Sequence, residues 1–145
     1  MGDPVSPSDR ELRALLGAAQ TVAVVGLSSR PGRPSFEVAS YLQEHGYRIV
    51  PVNPNETEVL GEPAFASLSD VPQEVTIDVV VVFRRAEHAP EVARQAVARG
   101  AQVLWLQEGI VSDEAAGVAT AGGLDVIMGV CIKHVRERLM EEGTA

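Results

Sequence analysis

The sequence is poor in cysteine, in basic residues and in long apolar runs, and each shortage excludes a class of protein. Its single cysteine, Cys131, excludes an internal disulfide and a zinc site made of cysteines. Lysine and arginine number 12 against 20 acidic residues, and the formal net charge of −8 opposes attachment to nucleic acid or anionic membranes. No apolar run approaches the roughly 20 residues that cross a bilayer, and the N-terminus lacks the basic and apolar regions of a signal peptide. We expect a cytoplasmic protein without a nucleic-acid or membrane partner.

Apolar residues make up 46% of the 145 positions, which is enough for one domain with a substantial core. We expect a single domain over residues 1–145, of which residues 1–7, rich in Pro and Ser, form a disordered tip. Apolar segments bounded by turn residues predict five strands, over Thr21–Gly26, Tyr47–Val52, Asp78–Phe83, Gln102–Leu106 and Leu124–Met128. Helical periodicity and capping residues predict helices over about Ser8–Ala19, Pro34–His45, Glu87–Arg99, Ser112–Ala121 and from about Ile132.

The segment Glu56–Glu74 has a weaker pattern. We expect a loop there, with a short edge strand near Ala64 and Phe65 and one helical turn near Ser67–Val71.

Strands that alternate with helices of this length indicate βαβ units, whose right-handed crossovers build a parallel sheet with helices on both faces. The predicted fold class is therefore α/β, a Rossmann-like three-layer α/β/α fold with a doubly wound sheet of five to six strands. The expected order of the five strong strands is 2-1-3-4-5, with the short edge strand beside strand 2. In such folds, ligands bind beyond the carboxyl ends of the strands where the winding direction reverses.

The stretch Thr21–Ser35 has the form of a phosphate-binding turn. A continuous apolar strand, typical of one buried on both faces, reaches Gly26, and serines, arginines and prolines follow before the next helix. The dinucleotide pattern G-x-G-x-x-G is incomplete, because Ser28 and Pro31 stand at the second and third glycine positions. The plainer interpretation is a simple turn from strand to helix.

The end of the second predicted strand bears on the choice of nucleotide. NAD sites usually place an acidic residue there, whereas this chain has Asn53 and Pro54. Without that carboxylate, a phosphorylated ribose is favoured, as in coenzyme A or NADP. The cations available for its phosphates are Arg30, Arg33, Arg84 and Arg85, although the last two could also be a solvated pair.

Catalytic and metal sites are not indicated by the sequence. Cys131 at a helix start could be an activated thiolate, but a small buried apolar residue is the commoner outcome. His45 and His88 are interpreted as surface residues at helix ends, and Cys131 with His134 alone do not define a metal site. We therefore expect no catalytic residues and no metal.

An ordered set of motifs carries a family resemblance over about Val22–His134. The motifs are GLSSRPGRPS, GYRIVPVNP, EVLGEPAFASLSDVP, VVFRRAE, VLWLQEGI and GLDVIMGVCIKH. Together they resemble the small stand-alone CoA-binding domain proteins, which are similar to the CoA-binding domain of the succinyl-CoA synthetase α subunit and of ADP-forming acyl-CoA synthetases.

The resemblance implies a set of cofactor-binding residues. Those implied for the CoA phosphates are Gly26, Ser28, Ser29 and Arg30, and the same loop contains Arg33 and Ser35. Those implied for the adenosine side are Asn53, Pro54, Phe83 and Arg84. Those implied for the pantetheine arm are Gln107, Glu108 and Gly109, of which Glu108 could instead simply begin a turn.

This sequence departs from the resembled family at two places. Gly129-Val130-Cys131 stands where members commonly have Asp-Arg-Cys. Asn55 and Glu56 stand where the synthetases have a lysine for the ribose phosphate, so Arg30 or Arg33 would have to replace it.

The expected function is binding of CoA or acyl-CoA without catalysis, as a carrier, a sensor or an accessory subunit. In the resembled synthetases, a phosphorylated histidine and a nucleotide-grasp domain on other segments perform the chemistry, and this chain ends before such segments. The alternatives are a small NADP-binding reductase or redox sensor that uses the same crevice, and a purely structural interaction module. An outer strand left uncovered is compatible with a homodimer.

Overall fold

The structure, a computed structural model, describes residues 7–141. Residues 1–6 of the predicted disordered tip therefore lie outside the described residues. The helices are α1 Asp9–Ala18, α2 Pro34–Glu44, α3 Ala89–Ala98, α4 Asp113–Ala121 and α5 Ile132–Arg136, and α5 continues as a π-helical turn over Glu137–Glu141. The strands are β1 Thr21–Val25, β2 Arg48–Val52, β3 Glu58–Val59, β4 Glu62–Pro63, β5 Val79–Val82, β6 Val103–Leu106 and β7 Asp125–Met128. No helix among the described residues has both the length and the apolar character that crossing a membrane requires.

The main sheet has five parallel strands in the order β2-β1-β5-β6-β7. This confirms the predicted order 2-1-3-4-5 and the Rossmann-like α/β fold. Every residue of β1, β5 and β6 is buried, as expected for strands covered on both faces. In register, Val25 at the end of β1 lies between Val52 of β2 and Val82 of β5, so three carboxyl ends meet at one rim.

Two apolar layers cover the sheet. On one face, α1, α2 and α5 contribute Leu16, Leu42 and Ile132 to a core that also contains Trp105. On the other face, α3 and α4 supply alanines, including Ala93 and Ala119, whose small side chains let the helices lie close to the sheet.

The predicted helix starts are confirmed by their caps. Ser8 and Glu11 form the capping box of α1. The Ser8 hydroxyl accepts the Glu11 N–H at 3.1 Å, and the Glu11 carboxylate accepts the Ser8 N–H at 3.0 Å. Ser112 accepts a hydrogen bond from the Ala115 N–H at 3.1 Å and begins α4. Pro34 stands at the start of α2, where its missing N–H is not needed.

The weakly patterned segment differs from its prediction in two respects. It contains a short antiparallel hairpin, β3 and β4, whose two-residue strands are too short to show an alternating pattern. The expected edge strand near Ala64 and Phe65 is a single parallel bridge from Phe65 to Val52, beside β2. The expected helical turn is present as Leu68–Asp70.

Arg99, which follows α3, holds that segment in place through hydrogen bonds. The Arg99 guanidinium donates to backbone carbonyls within the segment, those of Leu68, Val71, Pro72 and Val75.

The helix predicted from about Glu87 starts with a separate tight turn, Ala86–His88, before α3.

Candidate functional site at the rim of the sheet

The rim is formed where β1, β2 and β5 end. Hydrogen bonds of the sheet type continue past the strands, from the Gly26 N–H to the Val52 carbonyl at 2.7 Å and from the Phe83 N–H to the Val25 carbonyl at 2.8 Å. Gly26 has φ +88°, and a Cβ there would lie 2.9 Å from the Phe83 carbonyl oxygen. Only glycine combines this backbone conformation with so close an approach of a neighbouring main chain.

The loop that follows is shaped by its own serines. The buried Ser35 hydroxyl accepts the Ser28 N–H at 3.0 Å, and the Ser28 hydroxyl accepts the Arg30 N–H at 3.1 Å. A turn bond of 3.2 Å from the Arg33 N–H to the Arg30 carbonyl closes the loop. The serine hydroxyls therefore act at least partly as internal supports of the loop.

The loop leads directly into the N-terminus of α2, where free N–H groups and the helix dipole favour an anion. Arg30 and Arg33 are exposed on this loop. Neither guanidinium forms an ion pair with any residue in the 7–141 range. Their charges are therefore available to an external anion.

Two carboxylates contact the backbone of the same loop. Oε2 of Glu56 accepts the Ser29 N–H at 3.0 Å, and Oε2 of Glu37 accepts the Gly32 N–H at 3.1 Å. The loop amides thus already face negatively charged oxygens of the chain itself.

A cleft of about 470 Å³ opens beside the loop, between the ends of β1, β2 and β5 and the start of α3. Its lining includes five residues that the sequence singled out for binding, Gly26, Asn53, Pro54, Phe83 and Arg84. The volume lies within the roughly 300–1,000 Å³ that is usual for small-molecule sites.

The remaining predicted site residues lie outside this lining. The cleft-lining residues do not include Ser28, Ser29, Arg30, Arg33 and Ser35, which belong to the adjoining loop and the first turn of α2, or Gln107, Glu108 and Gly109, which follow β6. The predicted site residues thus form three groups. One group lines the cleft, a second lies in the adjoining loop and the first turn of α2, and a third follows β6 further along the rim.

Asn53 connects three segments at the end of β2. Its side-chain N–H donates to the Leu27 carbonyl at 3.0 Å, its side-chain oxygen accepts the Asn55 N–H at 2.9 Å, and its backbone N–H donates to the Phe65 carbonyl at 2.8 Å. Asn53, which stands where NAD sites usually have an acidic residue, therefore uses its side-chain amide to hold neighbouring segments together.

Five polar residues that were not assigned to the site line the cleft, namely Asn55, Ser67, His88, Glu91 and Gln95. Sequence reasoning interpreted His88 only as a surface residue at a helix end, and it is indeed exposed. The sequence did indicate that His88 lies near the rim, because His88 comes only three positions after Arg85, which follows the predicted strand. Ser67 lies two residues beyond the bridge that places Phe65 beside β2.

The charges around the cleft are unevenly paired. Glu91 accepts hydrogen bonds from Arg94 at 2.9 Å and from Gln95 at 3.3 Å, and these bonds hold the pKa of its carboxyl below the usual value. Arg85 lies 4.0 Å from Glu87, and both side chains are exposed. Arg84 has no ion pair with any described residue, whereas Glu91, the acidic residue that lines the cleft, is paired with Arg94. Arg84 therefore leaves an unbalanced positive charge at the cleft.

The third group has a structural contact of its own. Gln107 is buried, and its side-chain oxygen accepts the Ile132 N–H at 3.0 Å, which ties β6 to the start of α5. Glu108 and Gly109 are exposed. Nearby, Cys131 is buried against the apolar core, and the fully buried Trp105 donates to the Val130 carbonyl at 2.9 Å.

Comparisons of the sequence with known proteins give a family match and several relatives. Residues 20–137 match the family described as CoA binding domain. The protein YneT of Bacillus subtilis, whose name describes it as uncharacterized, is 43% identical over 128 residues, which cover 88% of this chain and 93% of YneT. Acetate–CoA ligase (ADP-forming) II of Archaeoglobus fulgidus is 34% identical over 83 residues, and the match spans 56% of this chain but 12% of the ligase.

Solved structures show the same architecture. A hypothetical protein from Pyrococcus horikoshii OT3 superposes with a TM-score of 0.88 at 34% identity, covering 97% of this chain and 99% of that protein. The protein ID.343 of Thermus thermophilus has a TM-score of 0.87 at 36% identity, covering 92% of this chain and 99% of its own.

Proposed function

This chain belongs to the CoA binding domain family, and from that premise we propose that it binds coenzyme A or an acyl-CoA at the rim of its sheet. The pyrophosphate would bind the loop between β1 and α2, and the adenosine would enter the cleft. The proposed role is binding without catalysis, as a carrier, a sensor or an accessory subunit in the cytoplasm.

One observation carries this proposal. The loop adjoins the cleft of about 470 Å³, and Arg30 and Arg33 of the loop and Arg84 of the cleft wall form no ion pair with any residue that the structure describes. A ligand with phosphates at one end of an adenosine can use both features at once, because guanidinium groups bind phosphate oxygens in pairs.

The proposed residue roles follow the geometry. Gly26 lets the Phe83 main chain approach the end of β1 at the edge of the cleft, and Phe83 and Pro54 would offer apolar contact to the adenosine. Gln107, Glu108 and Gly109 would lie on the pantetheine side. Relatedness to ADP-forming acetate–CoA ligases supports CoA as the ligand, although the chain matches only a small part of those enzymes.

Calorimetric titration with CoA, dephospho-CoA and NADPH tests the proposal. We expect CoA to bind more tightly than dephospho-CoA, which lacks the phosphate on the ribose, and more tightly than NADPH, because the family match and the relatedness to CoA ligases favour CoA over a nicotinamide nucleotide. A tighter binding of NADPH would replace the proposal by the reductase alternative. If CoA gives neither heat nor a thermal shift, the proposal is wrong.

A further inference from the structure

The loop between β1 and α2 is held by two carboxylates of the same chain. Glu56 comes from the turn after β2 and accepts the Ser29 N–H at 3.0 Å. Glu37 comes from the first turn of α2 and accepts the Gly32 N–H at 3.1 Å.

Both glutamates are held in place by their backbones. The Glu56 N–H donates to the Asn53 carbonyl at 3.2 Å, and the Glu37 N–H donates to the Arg33 carbonyl at 3.0 Å. Glu56 is also half-buried. Each carboxylate therefore stays near the loop whether or not its hydrogen bond is formed.

A carboxylate and a phosphate use the same chemistry at such amides, because both accept N–H bonds with anionic oxygens. We propose that Glu56 and Glu37 are internal competitors for the loop, which occupy its amides in the free protein and are displaced when a phosphorylated ligand binds. This inference rests on the proposed function, and it adds a control of affinity to it.

The competition lowers affinity in two ways. The ligand must replace two hydrogen bonds that the loop already makes, and the displaced carboxylates then repel its phosphates. Because one net hydrogen bond is worth about 0.5–1.5 kcal/mol, removal of one competitor should tighten binding about 2- to 12-fold. The unpaired Arg30 and Arg33 do not enter this exchange, since neither forms an ion pair with Glu56 or Glu37.

The test uses Glu56→Ala and Glu37→Ala in the full chain, with Glu58→Ala and Glu44→Ala as controls, because alanine leaves no acceptor for the loop amide whereas glutamine would keep one. Glu58 is an exposed glutamate in β3, and Glu44 is exposed at the other end of α2. Affinity for inorganic pyrophosphate and for CoA is measured by calorimetry, after circular dichroism has shown that each variant is folded. Glu56→Ala and Glu37→Ala each supply a separate test if the other fails to fold.

We expect tighter binding of pyrophosphate and of CoA in both loop variants and no change in the two controls. Unchanged or weaker binding of both probes in the loop variants overturns the inference, and CoA binding by the unaltered chain would then leave the proposed function standing. Tighter pyrophosphate binding in a protein that does not bind CoA would support the competitors and reject CoA as the ligand.

Discussion

The carbonyl oxygen of Phe83 lies 2.9 Å from the position that a Cβ atom would take at Gly26. Gly26→Ala should therefore destabilise the protein, by about 1–3 kcal/mol for the positive φ alone and by more for the contact. Urea unfolding measures the loss, and CoA titration should show weaker binding because the rim must shift. Gly32→Ala is the matched control, since Gly32 has φ +92° but open space around its Cβ. Equal losses in the two variants would show that the contact with Phe83 does not matter.

Removal of the rim cations Arg30 and Arg84 should weaken ligand binding without unfolding the protein. We expect Arg30→Ala and Arg84→Ala each to raise the dissociation constant for CoA about 10- to 100-fold, because a hydrogen bond to a charged group is worth about 1.5–3 kcal/mol. Arg48→Ala serves as the control, since this exposed arginine starts β2 at the end of the strand opposite to the rim. Calorimetry measures each constant. An unchanged constant in both rim variants would remove these arginines from the site.

Gln107 should be important for stability through its bond to the start of α5. Gln107→Ala leaves the Ile132 N–H without its acceptor, and a buried unpaired donor costs about 1–3 kcal/mol. Glu108→Ala, at the exposed neighbouring position, should change the free energy of unfolding by no more than about 0.5 kcal/mol. Chemical denaturation compares the two variants. A Gln107→Ala variant of full stability and reduced CoA affinity would instead indicate direct contact with the ligand.

Alkaline pH should affect the protein through Tyr41. Burial raises the pKa of Tyr41 to about 12, and its hydrogen bond of 2.6 Å to Glu141 acts in the same direction, while Arg136 opposes both. Because the folded state favours the neutral phenol, this contribution to stability is complete below about pH 10 and is lost as the pH rises through about 12.

Spectroscopic titration of tyrosinate absorbance checks this prediction. The chain has two tyrosines, so comparison of the unaltered protein with Tyr41→Phe isolates the signal of Tyr41. Ionisation of Tyr41 near pH 10 in the folded protein would contradict the prediction.

The sheet and its order followed from local patterns in the sequence. The valine runs of β1 and β5 are uniformly apolar, and the residues that follow β1, β2 and β5 are a glycine, an asparagine and a phenylalanine with an arginine after it. Such signals are short-range, and the rules of connection between parallel strands then leave few arrangements. The family resemblance added the ligand, which periodicity alone could not give.

The wall of the cleft was harder to predict from the sequence. Ser67, Glu91 and Gln95 line it because the segment 56–78 folds back beside β2 and because α3 starts next to the rim. These placements depend on long-range contacts such as those of Arg99, which no local pattern encodes. The contact of Glu56 with the loop was missed for the same reason, since Glu56 and Ser29 are 27 positions apart. Glu37 is only five positions from Gly32, so its contact is a local one that the sequence analysis overlooked.

The outline of the rim depends largely on main-chain bonds, among them those from Gly26 to Val52 and from Phe83 to Val25. Every sequence supplies these peptide groups, so the rim keeps its shape when the outward-facing side chains are replaced. Side chains around the rim can therefore be replaced, and the preference for one ligand over another altered, without a change of backbone.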